Sequence, residues 1–282
     1  MKIAKSDIAK HLAIILGITA ILSLCILSPF LPGTYDVLAL PISLMVQSFG
    51  ATGLLLSIVG LLWLAIPKKH FVFALVSLYL STFIILVLAL FAFLSAGRSS
   101  GIILLLIWAV VFLYLRTKLN QLKSTSQTKF NFLPIYLILL PIFILIIQLV
   151  LAKPLTQWSR NRAIANANEY ISDVKDFHTK YGHYPQSIQA MHKDYLPLIA
   201  GIEKYHYLQY GDSYNISFEQ PRFLFDVFGT REWVVYNPKD EQRAYSHTSW
   251  FLLFSPGQFE RSQGWYASGI TEHSQWKYFL FD

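Results

Sequence analysis

The chain has 282 residues, 54% of them apolar and only 14% charged, where a soluble globular chain carries about 25% charged residues. Its net charge of +7 is lopsided: residues 1–152 hold ten Lys or Arg and two acids, Asp7 and Asp36, whereas residues 153–282 hold thirteen bases and fourteen acids. The excess bases sit in short segments between long apolar runs, which argues for helix orientation in a bilayer and against nucleic-acid binding, and a lone cysteine, Cys25, excludes an intrachain disulfide.

Met1 to Lys10 forms a basic leader to an apolar run from Leu12 to Leu31. That run exceeds the h-region of a secretory signal and ends without an Ala-x-Ala site, so it reads as a retained helix. It is the first of five membrane helices expected at about 12–31, 42–66, 71–95, 101–115 and 132–152, each near the ~20 apolar residues that cross a bilayer. No run contains an acid or a base, although Gln47 and Gln148 lie inside the second and fifth. Ion-coupled transport usually places charge at membrane depth, so an ion-driven pump is disfavoured.

The loops set the orientation. Lys2, Lys5 and Lys10, then Lys68 and Lys69, then Arg116, Lys118, Lys123 and Lys129 fall on one side, and only Arg98 falls on the other. The positive-inside bias therefore predicts a cytoplasmic N-terminus in the plasma (inner) membrane and an extracytoplasmic C-terminal half. In the second run Gly50, Gly53, Ser57 and Gly60 share one helix face, spacing that lets two backbones approach closely. Packing within the bundle is the expected use, with a homodimer seam as the alternative. Pro141, in the middle of the fifth run, predicts a bend there.

After Lys153-Pro154 and the interfacial Trp158, an amphipathic helix is expected over about 159–181. Ile164, Ala167, Ile171, Val174 and Tyr181 mark its apolar face, with His178 in the remaining position. Gly182 supplies the stop, and Ser187 caps a short helix to Met191. Strands follow: Tyr205 to Tyr210, a turn at Gly211-Asp212-Ser213, Tyr214 to Phe218, then segments near 222–228, 231–236, 242–248 and 249–254, and a last aromatic strand near the C-terminus. Asn237-Pro238-Lys239-Asp240 reads as a turn.

The passage from a hydrophobic helix into an amphipathic one and on to Tyr181-Gly182-His183-Tyr184-Pro185-Gln186-Ser187-Ile188 resembles the helix-to-loop region of type II secretion major pseudopilins, over roughly residues 133–195. The resemblance implies an α+β domain whose long helix packs on a sheet. Those proteins carry a peptidase site and a glutamate where their hydrophobic helix begins. This chain reads Thr128-Lys129-Phe130-Asn131-Phe132-Leu133-Pro134 there, without an acid, so processing and filament assembly are not expected.

Candidate chemistry is sparse. His178, His183, His192, Asp176 and Asp194 are zinc-ligand types close in sequence, but their spacing matches no metal signature, so no metal site and no cofactor is expected. No Gly-x-Ser-x-Gly elbow and no phosphate-cradling loop occurs. The 27 aromatics of residues 153–282 are the remaining signal. Tyr207, Trp250 and Trp265 are the candidates for exposed interaction residues.

The sequence therefore predicts a mostly α chain: a five-helix transmembrane bundle (1–152), then an extracytoplasmic α+β domain (153–282) of one long helix on a small antiparallel sheet. The expected role is an accessory or scaffold of a bacterial envelope complex, with membrane lipid and an envelope protein as partners and no nucleic acid. An uncoupled transporter or channel component capped by the domain is the alternative, and a membrane-anchored envelope enzyme the second alternative.

Overall fold

A computed structural model describes residues 5–95, 98–124, 130–226, 230–242 and 267–281, with the side chains of residues 91, 92, 94, 95, 98–100 and 120–124 left aside. The protein is mostly helical, with several apolar helices and one antiparallel five-stranded sheet. Two compact units emerge: one of residues 1–27 and 41–150, the other of 28–40 and 151–282.

The first unit contains α1 (Lys5–Leu27), α2 (Ala39–Thr52), α3 (Leu54–Ala65), α4 (His70–Ser95), α5 (Arg98–Ser124) and the first part of α6 (Leu133–Asn166). Among the described residues four helical segments are long and apolar enough to cross a membrane, and α2 with α3 makes a fifth if that bent pair is one span. The expected single helix over 42–66 is thus two helices, bent by 41° at Gly53. The bend keeps its backbone hydrogen bonds: Gly53 N–H donates to Phe49 O at 2.7 Å, and Ser57 N–H to Gly53 O at 3.1 Å. A β-carbon at Gly53 would lie 2.9 Å from the Pro141 ring, so the missing side chain lets α6 close on the bend. α6 itself continues through Pro141 without a break. Trp63, Ala74, Leu78 and Leu119 form one buried apolar cluster of this unit, and Leu56, Ile84 and Leu88 another.

In the second unit the end of α6 and α7 (Asn168–Tyr181) carry Ala163, Ile164, Tyr170, Ile171 and Val174 into a core shared with the sheet. The sheet has the order β1-β2-β3-β5-β4 and is antiparallel throughout, built from β1 (His206–Tyr210), β2 (Ser213–Gln220), β3 (Arg231–Tyr236), β4 (Ala267–Ile270) and β5 (Trp276–Phe281). Tyr214, Ile216 and Phe218 of β2, Val234 and Tyr236 of β3 and Trp276 of β5 join that core. β2 and β3 are buried on both faces rather than alternating, since Ser217, Trp233 and Val235 are buried as well. Residues 222–226, expected in a strand, form a turn closed by Asp226 N–H donating to Phe223 O. The expected strand at 242–248 lies outside the described residues beyond Gln242, and that at 249–254 lies outside them entirely.

Residues 28–40 extend this unit in a way the apolar pattern does not reveal. Ala200 N–H donates to Leu31 O at 2.9 Å, Gly33 N–H to Leu198 O at 3.1 Å, Asp36 N–H to Ala200 O at 2.9 Å and Gly201 N–H to Pro29 O at 2.8 Å. Pro32 and Ile199 form an antiparallel bridge, and the fully buried Phe30 stacks on Phe223 at 4.6 Å. The loop after the first helix is thereby part of the core.

Candidate interaction surface

α7 ends where the sequence places its stop. Gly182 adopts φ +75°, and its N–H donates to His178 O at 2.8 Å. Around that end three rings meet at the surface: Phe177 and Tyr181 at 4.5 Å, Phe177 and His183 at 5.7 Å edge-on. Tyr181 is 52% exposed, although its helical phase puts it on the expected apolar face. The chain turns away at Gly182 before the sheet can cover it. Lys180 Nζ lies 5.0 Å over the Tyr181 ring, within cation–π range. The group combines two phenyl-type rings and an imidazole with a neighbouring cation, a composition suited to burying area against a partner at low entropic cost.

Two polar clusters in the interior are paired internally. Glu232, fully buried on β3, receives Arg160 Nε and Nη2 at 2.7 and 2.6 Å on Oε1, and Arg222 Nη1 at 2.6 Å on Oε2. Arg222 also pairs with Asp226 at 3.0 Å, and the Arg160 guanidinium lies 4.3 Å over the Tyr278 ring. Burial pushes the Glu232 carboxyl up, and the two guanidiniums oppose that. The arrangement is a saturated ionic triad that pins α6 to β3. A second hub is Asn237, whose Oδ1 accepts from the N–H groups of Lys239 and Glu241 at 2.8 and 3.0 Å, closing the expected turn. Its Nδ2 donates to Tyr214 O and Asn215 Oδ1 at 3.1 and 3.0 Å.

On the outer side of α7, Lys193 pairs with Glu169 at 2.9 Å and Asp173 at 2.7 Å, and the Tyr195 hydroxyl donates to Asp173. The Lys193 hydrogen bond, reinforced by that hydroxyl, holds the Asp173 carboxyl below its ordinary value. Tyr170 stacks on Tyr195 at 4.2 Å, which ties the 193–195 loop to the helix.

Of the residues singled out from sequence, Tyr207 is half-buried against the core, and its hydroxyl donates to Pro185 O at 2.8 Å. Trp250 and Trp265 lie outside the described residues. His178 stacks on Tyr184 at 4.2 Å, while His183, His192, Asp176 and Asp194 are exposed. Among the described residues no three His, Cys, Asp or Glu side chains converge as metal ligands. Gly50, Gly53, Ser57 and Gly60 all face α6 within the same chain. β-carbons at Gly53 and Gly60 would come within 3 Å of Pro141 and of Pro134 O, and Ser57 Oγ donates to Leu137 O at 3.2 Å. The Phe177–Tyr181–His183 group went unseen in the sequence because periodicity assigned Tyr181 inward; the adjacent Gly182 stop was the signal that the face ends there.

Comparison with protein-family models, with curated proteins and with solved structures finds no match for this chain.

Proposed function

We propose that this chain is a five-span envelope membrane protein whose second unit lies outside the membrane and engages another envelope protein as an accessory or scaffold. The carrying observation is the exposed aromatic group Phe177–Tyr181–His183 at the end of α7, on a unit whose described buried charges are answered internally. The membrane reading draws on the long apolar helices, on the bent pair α2–α3 as one span, and on the half-exposed Trp158 just beyond the apolar run. The orientation draws on the loop bases. A pseudopilin-like character of the second unit draws on its long helix entering an antiparallel sheet through Gly182-His183-Tyr184-Pro185.

The test is purification of the full chain in mild detergent with crosslinking, beside Tyr181→Ala/Phe177→Ala. A protein recovered with the native chain and lost with the variant supports the reading; identical recovery with both removes this surface from it. A second reading, an uncoupled transport component, draws on one observation. Ser43, Gln47 and Gln148 form a buried file in the helical unit, with Gln148 Nε2 donating to Gln47 O at 3.0 Å and Gln148 Oε1 left without a partner among the described residues.

A further inference from the structure

Within the helical unit, α1 and the start of α6 border an open cavity of about 410 Å³, lined by His11, Phe130, Asn131, Phe132, Leu133 and Tyr136. It is shallow and open on one side, so it would take one end of a ligand rather than enclose a whole molecule. The walls are pre-ordered: the His11 ring stacks on Phe132 at 4.0 Å, Phe130 meets Phe132 edge-on at 4.9 Å, and His11 Nδ1 lies 2.8 Å from the Tyr136 hydroxyl. The Tyr136 hydroxyl also lies 3.5 Å from His11 O, and with the phenol engaged at Nδ1 the Nε2 edge of the imidazole keeps its own hydrogen-bonding capacity. Asn131 spends its Oδ1 on the N–H of Leu133 at 3.0 Å, which leaves its amide nitrogen to donate. The cavity thus offers the Asn131 amide donor, the imidazole Nε2 edge and aromatic walls, and none of its lining residues is a carboxylate.

The end of α1 that carries His11 has one sign of charge in excess. Lys5 and Lys10 are exposed on the same end of α1, against a single acid, Asp7, and the positive end of the 34-residue α6 dipole adds to them. Beside His11 and Asn131 lies exposed apolar surface: Ile8, one turn before His11 on its face, Leu12, and Leu133 in the cavity wall. A basic helix end, an amide donor beside an imidazole and adjoining apolar helix faces are the chemistry of an anionic phospholipid, its phosphate at the amide and imidazole and its acyl chains along the helices.

We propose that this cavity holds the headgroup of an anionic phospholipid of the leaflet that faces the N-terminus. The inference rests on the membrane placement and orientation proposed above. The full chain is reconstituted into nanodiscs of phosphatidylglycerol or of phosphatidylcholine, and co-purified lipid is read by native mass spectrometry with the thermal midpoint beside it. Phosphatidylglycerol is expected to be retained and to raise the midpoint relative to phosphatidylcholine. His11→Ala/Asn131→Ala should retain it roughly tenfold less, the scale of one charge-assisted hydrogen bond. Lys68→Gln/Lys69→Gln, which removes basic charge on the same side but outside the cavity, should leave retention as in the native chain. Equal retention by the native chain and the cavity variant, or a loss of the same size in the Lys68/Lys69 variant, overturns the proposal in favour of general attraction to bases. A chain that fails to incorporate into nanodiscs sinks the membrane reading instead, so the two failures are told apart.

Discussion

Neutralising Glu232 would leave the Arg160 and Arg222 guanidiniums in the interior with only Asp226, which reaches Arg222 alone, to answer them. Breaking a buried pair on one side costs about 3–5 kcal/mol, because a charge is left uncompensated, whereas replacing the whole cluster with apolar side chains of similar volume is often neutral. Glu232→Gln is therefore expected to lower the urea midpoint of the full chain by far more than the triple change Arg160→Met/Arg222→Met/Glu232→Leu. Equal losses would mean that the triad carries no pairing energy. His206 offers a second test at this scale. It is half-buried on β1 with its ring 5.1 Å from Trp233, and burial, aided by nearby Lys204 and opposed by Glu203 and Glu219, holds its imidazole below the ordinary value of 6.5. The folded chain prefers the neutral ring, so the unfolded chain binds the proton first as pH falls. Its contribution is complete above pH 6.5 and is lost below it, down through the folded-state value. Thermal midpoints of the native chain should drop between pH 7.5 and 5.5 by more than those of His206→Gln, and parallel curves would remove His206 as the source.

Residues 28–40 set the corresponding question for whole elements. Phe30 is fully buried against Phe223, and four backbone hydrogen bonds hold the segment to 198–201. Truncating a fully buried phenylalanine costs about 3–5 kcal/mol, so Phe30→Ala should speed hydrogen exchange across 198–202 while leaving α4 and α5 unchanged. A fragment starting at Leu151 lacks the segment altogether and should melt below the same unit in the full chain; fusing residues 28–40 to it through a flexible linker should restore the difference. If the bare fragment melts as high as the fused one, the segment is an ornament. Nothing in the segment's composition advertises this role, because its links run mostly through backbone atoms, which a side-chain pattern does not encode. What could be read was what side chains dictate locally: the apolar runs became helices, Gly182 stopped α7 in the left-handed region, and Asn237 closed its turn with its own carboxamide. The break at Gly53 was hidden because a glycine in an apolar run looks like packing until Pro141 is found against it. Of the candidates read from strand alternation, Tyr207 packs half-buried against the core on β1, and Trp250 and Trp265 lie outside the described residues.

At the level of the molecule, the proposed function stands or falls on which side of the bilayer the two units present. The positive-inside rule weighs Lys and Arg near membrane ends; Lys68, Lys69, Arg116 and Lys118 are all exposed at the ends of apolar helices, as that argument requires. With Cys25 changed to Ser, a cysteine at Lys180 should be labelled by a membrane-impermeant maleimide in intact cells, and one at Lys68 only after permeabilisation. Both positions are exposed, so labelling reports the side of the membrane rather than burial. The reversed result would turn the Tyr181 group to the cytoplasm and the His11 cavity to the outer leaflet. It would then replace an envelope partner with a cytoplasmic one and remove the ground for assigning the lipid to the inner leaflet, while leaving every packing argument within each unit intact. Labelling at both positions in intact cells would be more damaging, because it would mean that the apolar helices do not divide the chain between two compartments at all.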